Sequence, residues 1–298
     1  MKLYVLCIML AAHVFAADNI SNAVDESKSK IEIKNITNDK SKESMEQWIN
    51  AEFGLQPYRT NYLLPFAIAN RTYLSHSPGE NFKDKEAEIQ VSLKLKVANN
   101  LFSLHEKYYL SYTHHAFWQI YTQSAPFRES VYNPEAFVVF PISDKKSFLQ
   151  MRSFKFAIAH KSNGQPNTKD NPAYNGFNLS KSINYVYATL RLQHKTLISD
   201  LTFMTPYLGS SDLSDNPDIM KYMGYTKVKF TYFYDEHMFT LMLRGNLDSK
   251  KGAVEATYSY PVYKSTYLYA KVFSGYMESL IDYNHYITKF AIGFSFSR

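Results

Sequence analysis

From residue 60 to residue 297 the chain alternates apolar and polar side chains in one short segment after another. In the clearest of them Ala87, Ile89, Val91, Leu93, Leu95 and Val97 alternate with Glu88, Gln90, Ser92, Lys94 and Lys96. Successive side chains of a strand point to opposite faces, so one face here is wholly apolar and the other polar. The last segment repeats the pattern, with Tyr286, Phe290, Ile292, Phe294 and Phe296 set against Lys289, Ala291, Gly293, Ser295 and Ser297. Segments of this kind occupy 60–70, 86–98, 107–120, 134–142, 152–162, 180–193, 197–207, 222–234, 236–246, 252–262, 265–277 and 285–297. Their length suits the roughly 9–11 residues with which a tilted strand crosses the hydrocarbon of a membrane. A soluble sandwich would also alternate. The aromatic residues decide against it: 25 Tyr and 21 Phe stand against 2 Trp, and they gather near segment ends, as in Tyr108-Tyr109, Tyr258-Ser-Tyr260 and Tyr267-Leu-Tyr269. That is the layout of the aromatic girdles at a membrane boundary. An even number of strands allows an up-and-down barrel with both termini in the periplasm. The expected fold is all-β, a twelve-stranded antiparallel transmembrane β-barrel of the outer membrane.

The remaining segments fit an exported protein. Lys2, the apolar run Leu3 to Phe15 and the small residue Ala16 read as a signal peptide over 1–16, too short for a spanning helix. Residues 17–57 read as a mobile periplasmic arm, rich in Asn, Ser, Lys and Asp, and 58–298 as the barrel with its functional site. The single cysteine, Cys7, falls in the signal peptide, so the mature chain has no disulfide, thiolate metal ligand or thiol nucleophile. The net charge of +6, with acidic and basic residues mixed, is too weak a bias to argue for nucleic acid.

One strand breaks its own pattern. Phe154, Phe156 and Ile158 form an apolar, outward series that continues into His160 and Ser162. Polar groups facing lipid without partners are costly, so their place needs a reason. A histidine beside a serine is the base and nucleophile pairing of acyl transfer. In the next strand Asn184 heads the outward series Val186, Ala188, Leu190 and Leu192, while Tyr185, Tyr187, Thr189 and Arg191 face inward. Asn184 therefore emerges at the matching end of the neighbouring strand, where an amide can fix the tautomer of the imidazole.

These residues sit in recognisable motifs. His160-Lys-Ser162-Asn163-Gly164-Gln165 followed by Ser180-Lys-Ser182-Ile-Asn184 resembles the active-site motif of the outer-membrane phospholipase A family. Asn61-Tyr-Leu-Leu-Pro65-Phe66, Ser124-Ala-Pro126-Phe127-Arg128-Glu129, Asp215-Asn-Pro217-Asp218, Ser274-Gly-Tyr276 and Glu278-Ser-Leu-Ile-Asp282-Tyr-Asn284 extend the resemblance from Asn61 to the C-terminus. The resemblance implies a calcium-dependent phospholipase with A1, A2 and lysophospholipase activity, acting as a homodimer on phospholipid. It makes Ser162 the nucleophile, His160 the base, Asn184 the orienter and the Gly164 amide an oxyanion donor. It implies a Ca2+ site held by the Gln165 carbonyl, Ser180 and Ser124 of the partner subunit, with Asp215 as a further candidate.

The chain also departs from the family pattern. Gln165 stands where an arginine is usual, and the stretch between Gln165 and Ser180 is long, with Pro166, Asp170 and Pro172. Asn175 and Asn178, in that loop, are rivals to Asn184. His114 lies on an outward series with Leu110, Tyr112, Ala116 and Trp118, where the family keeps a polar residue of the dimer interface. The chain ends Phe296-Ser-Arg298 and not on an aromatic residue. The alternative reading is a non-enzymatic outer-membrane barrel, a channel or adhesin, with inward Lys94, Lys96, Lys271 and Arg191 either lining a pore or pairing with Glu88 and Glu255 to plug it.

Overall fold

A computed structural model of the protein describes residues 54–142, 150–207 and 211–298. The segment read as a signal peptide and the arm up to Phe53 lie outside the described residues. The strands are β1 (Gln56–Pro57), β2 (Tyr62–Ala69), β3 (Lys85–Asn99), β4 (Lys107–Trp118), β5 (Phe127–Pro141), β6 (Gln150–Ser162) and β7 (Ser182–His194), followed by β8 (Leu197–Pro206), β9 (Thr226–Tyr234), β10 (His237–Asn246), β11 (Lys251–Tyr263), β12 (Thr266–Gly275) and β13 (Ile287–Ser295). From β2 to β13 each strand pairs antiparallel with its neighbour in sequence, and β13 pairs back onto β2, which closes a twelve-stranded barrel. The two-residue β1 continues the line of β2 along β3, Gln56 opposite Lys94. Residues 54–57 of the segment read as arm therefore belong with the barrel.

Alternation settles which side chain faces where. On β3, Val91, Leu95 and Val97 are exposed on the outer face, while Glu88 and Ser92 are fully buried inside. On β13, Phe290, Ile292 and Phe294 point out, and Lys289 and Ala291 are buried. At one end of the barrel the described connections are short, such as 195–196, 235–236 and 264–265; at the other, 70–84, 163–181 and 276–286 are long. Outer-membrane barrels keep short turns in the periplasm and longer loops outside, so the long-loop end is extracellular.

Two strand boundaries differ from the sequence reading. β5 begins at Phe127 and not near Pro134. Its extracellular half carries Arg128 and Glu129, both buried; a polar lumen accepts charge on the inner face, so charge does not end a strand here. Residues Ile219–Met223 form a short helix, α1, so β9 starts at Thr226 and not at Tyr222. Gly224 ends α1 at φ 78°, and a Cβ there would lie 2.0 Å from the Gly245 carbonyl oxygen, so only glycine lets the returning chain lie against β10.

The inner charges pair with one another. Arg128 bonds Glu86 at 2.9 Å, Glu278 at 3.0 Å and Asp282 at 2.8 Å. Lys289 reaches Glu88 at 2.8 Å and Glu86 at 3.4 Å, and Glu88 also takes Lys271 and His115. Arg191 pairs with Asp200 and not with Glu255.

Candidate active site

The extracellular ends of β6 and β7 carry the triad candidates. His160 lies directly opposite Asn184, and Ser162 opposite Ser182. Directly opposed residues of an antiparallel pair share a face, so His160 and Asn184 stand together on the outside. Their side chains meet: His160 Nδ1 is 2.7 Å from Asn184 Oδ1. An amide oxygen only accepts, so Nδ1 carries the hydrogen, and Nε2 is left as the acceptor. Ser162 is two residues further along the same face, about 7 Å away along the strand. Below them, Phe156 and Ile158 present an apolar wall.

The rivals are placed elsewhere. Asn175 caps a 3-10 turn over Pro172–Tyr174 in the left-handed region, φ 49°. The side-chain oxygen of Asn178 accepts from the Thr168 and Ser180 amides, and its amide donates to Asp215 Oδ1 at 2.6 Å. Neither is bonded to His160.

Several residues that hold this site escape a reading by alternation. The β5–β6 ladder skips Asn133 and Pro134, since proline has no N–H to give. The His160 carbonyl opposite that gap accepts instead from the Asn133 side chain at 2.7 Å. Asn163, next to Ser162, is 2% exposed. Its Oδ1 accepts from the Gln165 amide at 3.3 Å and the Lys181 amide at 3.0 Å, and its Nδ2 donates to Leu179 O and Glu129. One buried side chain thus ties both stems of the 163–181 loop together. Glu129 in turn accepts from the Leu280 and Ile281 amides, each at 2.7 Å. Fully buried Asn216 matches both backbone groups of Ser182, accepting from its N–H at 2.9 Å and donating to its carbonyl at 2.8 Å. That pins the start of β7, two residues before Asn184. The only sequence signal for Asn163 and Asn216 is their place inside the motifs, and Asn133 lies outside them.

Gly164 follows at φ 64°, and a Cβ there would come within 3.2 Å of the Tyr132 ring. The positive φ favours glycine and the close ring adds to that preference, which leaves the turn after Ser162 with a bare backbone. Tyr132 lies opposite Ser162 on β5 and stacks on His114 of β4, centroids 5.1 Å apart and planes 11° apart. His114 Nε2 is buried with no hydrogen-bond partner among the described residues.

Among the described residues no group of three His, Cys, Asp or Glu side chains could hold a metal. A metal here would rest on carbonyl, hydroxyl and amide oxygens with little charge, which fits a hard cation such as calcium and not zinc. Asn163 holds the Gln165 amide together with the amide of Lys181, the neighbour of Ser180, and Asn178 holds the Ser180 amide. The Ser180 carbonyl accepts from Lys181 Nζ at 3.0 Å and keeps a second lone pair, so both it and the hydroxyl can offer oxygen to a metal. Asp215 reaches Ser180 only through Asn178, and also takes Asn167 at 3.2 Å. Ser124 sits at φ 62° in the β4–β5 loop and, among the described residues, has no hydrogen bond to Gln165 or Ser180.

Known proteins resemble the chain over most of its length. The family described as phospholipase A1 matches residues 38–296. A protein of Neisseria meningitidis serogroup B is 34% identical over 260 residues, which cover 82% of this chain and 65% of that protein; the chain thus spans about two thirds of that relative. Phospholipase A1 of Salmonella typhimurium is 33% identical over 248 residues, covering 81% of each chain. The crystal structure of the Salmonella typhi outer membrane phospholipase, a dimer with bound calcium, superposes with a TM-score of 0.73 at 30% identity, covering 83% of this chain and 94% of that one. With its closed twelve-stranded barrel and its match along nearly the whole described chain, this protein is a bacterial outer-membrane β-barrel and belongs to the phospholipase A1 family.

Proposed function

We propose that the chain is a calcium-dependent phospholipase that hydrolyses acyl ester bonds of phospholipids from the lipid-facing side of its barrel, as a homodimer. The observation that carries the reading is the 2.7 Å bond from His160 Nδ1 to Asn184 Oδ1 on a face otherwise made of Phe and Ile. With Nδ1–H held by Asn184, His160 Nε2 takes the hydroxyl proton of Ser162 as Oγ bonds to the ester carbonyl carbon. His160 then returns that proton to the departing alcohol oxygen as the ester C–O bond breaks. Water, deprotonated by the same imidazole, releases the fatty acid and restores Ser162. The Gly164 amide donates to the developing oxyanion. Substrate enters sideways from the membrane, its acyl chain against Phe156 and Ile158.

Gln165 and Ser180, with Ser124 of the partner subunit, would hold calcium, and Asp215 would add negative charge behind Asn178. When bound, calcium supplies positive charge that stabilises the oxyanion. Two things support the dimer: the Salmonella typhi relative is described as a dimer with bound calcium, and the buried His114 Nε2 has no hydrogen-bond partner among the described residues. The channel alternative fares worse. Glu86, Glu88, Arg128 and Lys289 are nearly or fully buried, so the lumen at their level is filled by paired side chains and not by water. The test is hydrolysis of phosphatidylcholine or phosphatidylethanolamine micelles by purified protein, with calcium and with chelator. Release of fatty acid that needs calcium and vanishes in Ser162→Ala is expected; equal release from Ser162→Ala would overturn the assignment.

A further inference from the structure

The 163–181 loop has an anchor that the triad does not use. The ring of Phe177 lies flat on the imidazole of His76, centroids 4.1 Å apart and planes 6° apart. The Lys181 ammonium is 5.2 Å from the centroid of the same ring. His76 belongs to a different loop, between β2 and β3, and its side chain is only 8% exposed. Two bonds fix it. Its Nε2 lies 2.7 Å from Asp282 Oδ1, and its backbone N–H donates to Glu80 at 2.8 Å. Asp282, in the β12–β13 loop, is itself held by Arg128 at 2.8 Å, with His285 Nδ1 at 3.9 Å. Burial alone would raise the Asp282 carboxyl; the His76 hydrogen bond and the Arg128 charge outweigh it and hold the group below its ordinary value, as a carboxylate. The imidazole is therefore clamped from behind by the ion-pair network of the lumen.

Forward of the ring, the path to the metal candidates is three residues long. The Phe177 carbonyl accepts from Thr168 Oγ1 at 2.7 Å, and that same oxygen accepts from the Leu179 amide at 3.0 Å. Asn178 binds the Ser180 amide at 3.1 Å. A shift of Phe177 is thus passed to Ser180 through bonded groups with little slack.

We propose that His76 is a positioning residue: backed by Asp282, it is the seat on which Phe177 sets the 177–181 segment, and it thereby fixes the calcium affinity of the site. The proposal rests on the calcium reading above. It also gives the long stretch between Gln165 and Ser180 a purpose, since Phe177 lies within it. The ring is the working part. An aromatic stack shifts an equilibrium by about 3- to 10-fold, so losing it raises the calcium needed by about that factor, while turnover at saturating calcium stays within about twofold.

The experiment follows hydrogen exchange of the amides of residues 178–181 in the full-length protein in detergent micelles, as calcium is titrated. This readout does not depend on catalysis. Phosphatidylcholine hydrolysis at saturating calcium is measured in parallel. Phe177→Ala and His76→Ala are each expected to speed exchange in the calcium-free protein and to raise the calcium midpoint. His76→Phe, which keeps a ring under Phe177, is expected to return the midpoint toward that of the unsubstituted protein. An unchanged midpoint in both alanine variants overturns the proposal, as does a His76→Phe variant no better than His76→Ala. An unsubstituted protein whose exchange ignores calcium overturns both this proposal and the calcium site. Calcium-dependent protection that responds to the variants as expected, in a protein that hydrolyses no phospholipid, supports the seat and overturns the enzymatic reading alone.

Discussion

The bond between His160 and Asn184 joins two side chains that were legible in the sequence for one physical reason. A strand has a period of two, so a polar residue continuing an apolar series marks itself, and two such residues on adjacent strands mark each other. Asn133, Asn163 and Asn216 gave no such sign, because they are buried partners of main-chain groups and break no alternation. In the proposed mechanism Asn184 accepts from an imidazole that becomes charged in the transition state, and a hydrogen bond to a charged group contributes about 2 kcal/mol, roughly 30-fold in rate. Asn184→Ala should therefore lower kcat by about that factor and leave the calcium requirement unchanged. Asn178→Ala should do the reverse, since Asn178 holds Ser180 and not His160. Both follow from initial rates measured across a calcium titration. Full activity in Asn184→Ala with none in Asn178→Ala would move the third member of the triad into the loop.

At the scale of elements, the strands were readable and the loops were not. All twelve barrel strands follow from alternation, and β5 starts at Phe127 and not near Pro134, in a lumen that accepts Arg128 and Glu129. The 163–181 loop has no period to read. Its shape comes from buried amides, chiefly Asn163, which serves four groups from a position 2% exposed. Asn163→Ala removes the acceptor of the Gln165 and Lys181 amides and the donor to the Leu179 carbonyl, at a cost of about 2–4 kcal/mol. That cost falls on the loop. The strand ladder should survive, so the variant should keep the heat-modifiable gel mobility of a folded barrel while losing most activity and becoming open to trypsin at Lys169. A variant with normal activity and no new cleavage would remove Asn163 from its place at the loop stems.

For the whole molecule, the barrel does more than hold a site in the membrane. In the proposed function its outer face supplies the apolar wall for substrate; its paired interior braces the loops from behind through Arg128, Asp282 and Glu129. If Ser124 of the partner subunit completes the oxyanion site, dissociation removes a contribution of about 3–4 kcal/mol, a factor of about 100 or more in rate. Specific activity at saturating calcium should fall by that order as the protein is diluted in detergent, in step with the loss of cross-linked dimer. Constant specific activity across the dissociation would sink the shared site, though the chemistry of His160 and Ser162 could stand without it.

The central claim is that Ser162, activated by His160 and assisted by calcium, is a nucleophile on the lipid face of the barrel. A long-chain alkylsulfonyl fluoride enters from the lipid side and leaves a covalent sulfonyl ester on an activated serine. Mass spectrometry of the digested protein after exposure to such a reagent is the most direct measurement. The account predicts one adduct, on Ser162, formed in the presence of calcium, suppressed by chelator and absent from His160→Ala. An adduct on any other serine, or one on Ser162 that forms equally well with chelator and in His160→Ala, would contradict it.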